Sequence, residues 1–218
     1  MVVAMLLLFF LVMINIYLTN YCRIKENSMS LNGKIIFKVY QESINNFLDI
    51  LYKKINIEYP KFFKMDNQSK LGVLASEGLT FENSFLSKYK PEEIGIVLSN
   101  SEASLDTDKN YINTLNPDNY FPSPSLFVYT LPNVVAGEIC IRHKIKGENA
   151  FFISEWFNQD LIYFYIQNLL RNTETKVCIG GWINLVGENY DAFLFSVETN
   201  KKDGKSLTPE LLNQIYNN

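Results

Sequence analysis

The sequence predicts an α/β fold, and three observations carry that expectation. Short runs of branched and aromatic residues bounded by polar turns alternate with stretches whose apolar residues recur at helical spacing. The 218 residues are 47% hydrophobic and 20% charged, enough for one well-buried core and of a length that suits a single domain. No repeat or low-complexity segment breaks the alternation.

The first strand is expected over Ile14 to Ile24, closed by the polar turn Lys25-Glu26-Asn27-Ser28. Ser43 is placed to cap a helix whose apolar residues Ile44, Phe47, Leu48, Leu51 and Ile55 share one face, with Pro60 after its end. Asp66 is placed to cap a second helix with Leu71, Leu74, Ala75, Gly78 and Leu79 on one face. After Pro91, Ile94 to Leu98 reads as a buried strand opening into Ser99-Asn100-Ser101, and the proline-rich stretch Asn116 to Pro124 as a loop.

Pro132 suits the first turn of a helix through Val135, Ile139 and Arg142, which Gly147 would close. Ala150 to Ile153 follows as a strand. Asp160 to Leu170 follows as a helix apolar enough to be buried on two sides. Val177 to Ile183 and Tyr190 to Val197 are strands joined across Gly187-Glu188. A short helix from Pro209 with Leu211, Leu212 and Ile215 closes the chain.

Met1 to Ile14 contains no polar residue, yet this is short of the roughly 20 apolar residues of a membrane span. A basic start and a small-residue cleavage site, the marks of a secretory signal, are missing. Met13 as the start fits best, leaving 1–12 as an apolar extension and 13–218 as the domain. The alternatives are a membrane-contacting tail through residues 1–14 and a signal peptide. The expected location is cytoplasmic, or membrane-associated if that tail is genuine.

Twenty Lys+Arg against 23 Asp+Glu give a charge of -3, and the lysines are scattered. That leaves no electrostatic footprint for nucleic acid. Cys22, Cys140 and Cys178 lie far apart in apolar stretches and read as buried, reduced thiols, without the spacing of a disulfide framework or zinc site. With His143 the single histidine, a His/Cys metal cluster is excluded and no cofactor is expected.

No GxSxG, P-loop, HExxH or GxGxxG motif is present, and Gly180-Gly181 follows a strand without a phosphate-cradling loop. His143, between Arg142 and Lys144, reads as a surface histidine at a helix end whose pKa those cations would depress; a general-base role lacks a Ser or Cys partner. Glu102, Asp106 and Asp108 form an acidic cluster suited to a metal or, more often, to a helix start, with Asp106 placed to cap the helix holding Tyr111 and Leu115.

The string Ser123 to Phe152, SPSLFVYTLPNVVAGEICIRHKIKGENAFF, resembles the N-terminal half of β-ketoacyl synthases. In that family a Pro-Asn-x-x-Ala-Gly helix leads through Ser-Ile-Arg to Lys-Gly-Pro-Asn and the nucleophile strand. Pro132-Asn133, Ala136-Gly137, Ile141-Arg142, Lys146-Gly147 and Asn149 stand at matching places. Met65-Asp66, Ile94 to Ser101 and Val177 to Gly181 resemble further family segments, so the match runs from about Ile14 to Val197. The chain is also similar to the short ketoacyl-synthase-like proteins of aryl-polyene and flexirubin-type pigment pathways. The resemblance implies a thiolase-like fold, a single N-terminal half with a mixed sheet packed by helices.

The departures bear on function. The family's cysteine nucleophile lies nine residues after the Lys-Gly glycine. Counting from Gly147 reaches Trp156, within Ser154-Glu155-Trp156-Phe157, and no cysteine lies between Cys140 and Cys178. The family's two catalytic histidines belong to a C-terminal half not present in this sequence, and His143 aligns to a structural helix end. Covalent catalysis needs an activated nucleophile and a base within hydrogen-bond reach. The activity the family would imply, 3-oxoacyl-carrier-protein synthesis, is therefore not expected of this chain.

The resemblance then implies a catalytically silent, pseudoenzyme-like subunit of fatty acid, polyketide or pigment biosynthesis, akin to chain-length factors. It would form a homodimer, or a heterodimer with an active ketosynthase, through the strand Ala150 to Ile153, and contact acyl carrier protein. Phe151, Phe152, Trp156 and Phe157 are the interface candidates; alternatively they fill space vacated by substrate and the missing half. Two competing readings are an acyl-thioester enzyme using Ser154, Glu155 or Asp160, and an acyl or carrier-protein binding module.

Overall fold

The computed structural model describes residues 14–81, 85–116, 118, 121–199 and 204–218. The extension over residues 1–12, with the choice between Met1 and Met13 as start, lies outside the described residues. Among the described residues, no helix is long and apolar enough to cross a membrane.

One mixed sheet organises the chain. Its strands are β1 (Tyr17–Lys25), β2 (Ser28–Leu31), β3 (Lys34–Lys38), β4 (Ile94–Asn100), β5 (Asn149–Ile153), β6 (Val177–Val186), β7 (Asn189–Glu198) and β8 (Lys205–Ser206). They lie in the order β3-β2-β1-β7-β6-β4-β5, with β8 beside the start of β1. β4 runs parallel to β5 and β6, and the other pairs are antiparallel. The helices are α1 (Ile44–Ile55), α2 (Asn67–Thr80), α3 (Leu105–Ile112), α4 (Pro124–Phe127), α5 (Val134–His143), α6 (Gln159–Asn172) and α7 (Pro209–Asn217).

Both faces of the sheet are covered, which makes three layers. Phe47 and Leu51 of α1, Leu71 and Leu74 of α2, and Val135 and Ile139 of α5 pack on Ile96, Leu98, Ile179, Ile183 and Leu194. On the opposite face, Ile162 and Ile166 of α6 and Leu212 of α7 pack on Val97, Cys178, Trp182, Phe193 and Phe195. Strand side chains alternate between faces, so a strand covered on both sides is apolar over most of its length, as in the fully buried β4, whose run Ile94 to Leu98 precedes the polar Ser99 and Asn100. Each fully buried large side chain contributes roughly 1.5–3 kcal/mol. Two glycines permit the close helix contacts. A Cβ on Gly180 would lie 2.5 Å from the Phe195 ring and 2.6 Å from Ile166, and one on Gly72 2.4 Å from Val135.

The helix starts at Ser43 and Asp66 are as expected: each side chain accepts the N–H three residues on, from Asn46 and Ser69. Several expectations need correction. The first strand begins at Tyr17 rather than Ile14. It is followed by a hairpin, β2–β3, turning at Asn32 and Gly33 with φ of 51° and 81°. Lys144, left-handed at φ 58°, closes α5 in place of Gly147, and Pro132 lies ahead of the helix, whose first flanking residue is Asn133. α3 follows Ser104, not Asp106. α6 is buried along one side only, with Phe164 63% exposed.

Candidate functional site

β4, β5 and β6 are parallel, and the chain leaves β4 and β5 toward opposite faces of the sheet. After β4 it runs through α5 on one face, and after β5 through α6 on the other. Crevices at the carboxyl ends of such strands are where open α/β sheets bind ligands. Ser154, Glu155 and Trp156 lie there, on the turn after β5.

The walls of this crevice are held by side-chain amides. Asn100 donates to the carbonyl of Ala103 at 2.8 Å and accepts its N–H at 3.0 Å, fixing a turn in which Ala103 has φ 51°. The Asn184 carbonyl oxygen accepts the N–H groups of Ser101 and Glu102, each at 3.2 Å. The Ser154 N–H donates to the Asn100 carbonyl at 2.9 Å, extending the β4–β5 ladder by one rung. Asn158 then caps α6 by accepting the N–H of Leu161.

Ser154 is half-buried, and its hydroxyl donates to the Trp156 carbonyl at 2.8 Å, so its proton is committed to the turn. Trp156 projects outward at 61% exposure, and Glu155 is exposed. Phe157 is 4% exposed and packs on Phe193 and Tyr216, which makes it core and leaves it no surface for a partner. Phe151 and Phe152 are half-buried on opposite faces, Phe151 against the first core and Phe152 against Tyr165 at 5.0 Å in the second. Of the interface candidates, Phe151 and Phe152 thus both pack within the chain, one on each face of the sheet.

His143 is elsewhere and is not a surface residue. Its side chain is 10% exposed, with Nε2 2.8 Å from Ser76 Oγ. Ser76 Oγ also lies 2.8 Å from the Val73 carbonyl, so the hydroxyl has a backbone acceptor as well as the imidazole within reach. Burial holds the His143 pKa below its ordinary value; Glu77 opposes that shift and Arg142 adds to it. Burial, rather than neighbouring cations, is thus the main cause. The ring lines a cavity of about 450 Å³ beside Pro91 and Ile94, at the start of β4. Ser154 is bonded to Asn100 at the other end of that strand, and six residues of extended chain separate the two by about 20 Å.

The remaining candidates are structural. Asp106 accepts the N–H of Gly187 at 2.7 Å, and Asp108 accepts the Ser104 hydroxyl at 3.1 Å. Glu102 accepts from the Ser101 hydroxyl at 3.4 Å. Among the described residues, no group of three His, Cys, Asp or Glu is placed to hold a metal. All three cysteines are free; burial pushes the Cys140 thiol up to about 11 and raises Cys22 and Cys178 further, away from the thiolate a nucleophile requires.

No protein-family model and no curated protein matches the sequence. Solved structures do match the fold. The ishigamide ketosynthase/chain length factor superposes with a TM-score of 0.64 at 15% identity, over 88% of this chain and 64% of that one. The ketosynthase ApeO in complex with its chain length factor ApeC, from Xenorhabdus doucetiae, gives 0.53 at 11% identity, over 85% and 79%. A β-ketoacyl synthase from Burkholderia phymatum STM815 gives 0.60 at 9%, over 85% and 59%. The chain thus spans about three-fifths of the first and third of these. The likeness is one of fold: this is the thiolase-like α/β fold of ketosynthase chains, in the extent of a single half.

Proposed function

We propose that this chain is an accessory, ketosynthase-like subunit in polyketide, pigment or fatty acid biosynthesis, without condensing activity of its own. It would work by pairing with an active ketosynthase or with a second copy, and would contact acyl carrier protein through that assembly. The observation that carries this reading is the separation of Ser154 from His143 by the length of β4. The hydroxyl nearest the family's nucleophile position is committed to the Trp156 carbonyl, and the single histidine is bonded to Ser76 at the opposite end of the sheet. A serine without a base in reach is a poor nucleophile.

The edge of β5 supports the pairing. β5 is the last strand on its side of the sheet. Ile96 donates to the Glu148 carbonyl and Ser154 to the Asn100 carbonyl, so even-numbered residues face β4. Asn149, Phe151 and Ile153 therefore present their N–H and C=O groups outward. None of these side chains is charged. At the other edge, Lys34 and Lys38 bracket β3, the protection commonly given to edges that must not pair. An antiparallel neighbour centred on Phe151 would satisfy every outward group of β5.

The test is incubation with malonyl- and acyl-carrier-protein thioesters, alone and beside a ketosynthase encoded in the same genome. No ketoacyl product alone, with co-purification of the ketosynthase, is the expected result. Condensation by the isolated chain would overturn the proposal.

A further inference from the structure

The chain has two tryptophans, and both line one groove of about 540 Å³. The groove lies over the ends of β6, β7 and β1, beside the last turns of α7, and away from the outer edge of β5. Trp182 is 4% exposed on the sheet, and Trp156 stands over the opening from the turn after β5. Five carboxamides line the same space: Gln159, Asn184, Asn189, Asn213 and Asn217; within the chain, Asn184 Oδ1 accepts the Ser101 and Glu102 N–H groups, Gln159 Nε2 donates to Asp160 and Asn217 Nδ2 donates to Asn213.

The charges there are compensated. Asp191 accepts from Arg23 Nε at 3.0 Å, from Arg23 Nη2 at 2.8 Å and from the Tyr216 hydroxyl at 3.1 Å. Lys25 and Glu155 add one charge of each sign. A phosphate, a carboxylate or a cation would therefore find no net counter-charge. A carboxamide donates and accepts from one planar group, which matches hydroxyls that also do both. An indole face suits the C–H face of a saturated ring, and the volume suits a small molecule.

We propose that this groove binds a neutral saccharide, with the sugar ring against Trp156 and its hydroxyls on the carboxamides. The inference stands apart from the association proposed above, because it uses neither the β5 edge nor a partner chain.

Because both indoles lie in the groove, intrinsic tryptophan emission reads it directly. Titration of the full chain with glucose, galactose, N-acetylglucosamine, maltose and cellobiose should give a saturable emission change with at least one sugar. Calorimetry with that sugar should give the same midpoint. Trp156→Ala and Asn189→Ala, both at exposed positions, should weaken the calorimetric affinity about tenfold or more. Neither should change the circular dichroism spectrum, and Asn189→Ala should keep the oligomeric mass of the unaltered chain. Silence across these sugars, affinity unchanged in Trp156→Ala, or a response to adenosine in place of the sugars would each overturn the proposal.

Discussion

Ser76 Oγ and His143 Nε2 lie 2.8 Å apart and tie α2 to the last turn of α5. The imidazole is nearly buried, and its pKa is held below the ordinary value chiefly by that burial. The unfolded chain therefore binds a proton first as pH falls. Stability should be full above pH ~6.5, the unfolded value, and decline as pH drops from there toward the lower folded value. Urea unfolding between pH 7.5 and 5.5 measures that decline, and His143→Gln should flatten the slope. An unchanged slope in that variant would show that His143 is not the titrating group.

Ser154→Ala removes a hydroxyl that stabilises the turn to Trp156 and, on the proposed reading, no chemistry. The variant should lose about 1 kcal/mol of stability. Mass spectrometry after incubation with acyl-carrier-protein thioesters should find no acyl adduct on either protein. An adduct on the unaltered chain that vanishes in Ser154→Ala would establish a serine nucleophile.

Much of the layered core was legible because its signals are local. Ser43 and Asp66 cap helices directly, and Gly187-Glu188 joins two long apolar runs. The β2–β3 hairpin was absent from the expectation although Asn32-Gly33 is a strong hairpin dipeptide. Strands of four and five residues give too short an alternation to stand out. The end of α5 was misplaced because Lys144, a residue that seldom adopts positive φ, closes it, while Gly147 is required elsewhere: a Cβ there would lie 2.4 Å from the Ile94 carbonyl oxygen.

The site was legible in part. Counting from Gly147 locates the turn at Trp156, but the remoteness of His143 depends on which end of β4 each residue meets, and spacing carries no such information. The carboxamides around Trp182 come from β6, β7, α6 and α7, so no motif joins them.

Phe151→Lys and Phe152→Lys should behave alike, since the two rings enter opposite cores of the same chain. Each variant places an ammonium against apolar packing, with a cost of about 2–3 kcal/mol. Thermal unfolding should show both destabilised. One variant retaining full stability while losing oligomeric mass would instead identify its ring as an interface residue.

Ile153→Pro separates association from folding. Ile153 is 53% exposed, so little packing is lost with its side chain. By the register with β4, its N–H points away from the sheet, and proline is tolerated at edge positions where that group is not bonded within the chain. Its ring removes one outward donor and obstructs a neighbouring strand in the approach that β-pairing requires. The expected result is a folded protein, with an unfolding midpoint close to that of the unaltered chain, that no longer pairs. Light scattering at high concentration and co-purification with a ketosynthase measure the loss. The even-numbered neighbour supplies the control: Phe152 donates toward β4, so Phe152→Pro should break the sheet's own ladder and unfold the edge. Pairing undiminished in Ile153→Pro, with the fold intact, would rule out the β5 edge as the association surface.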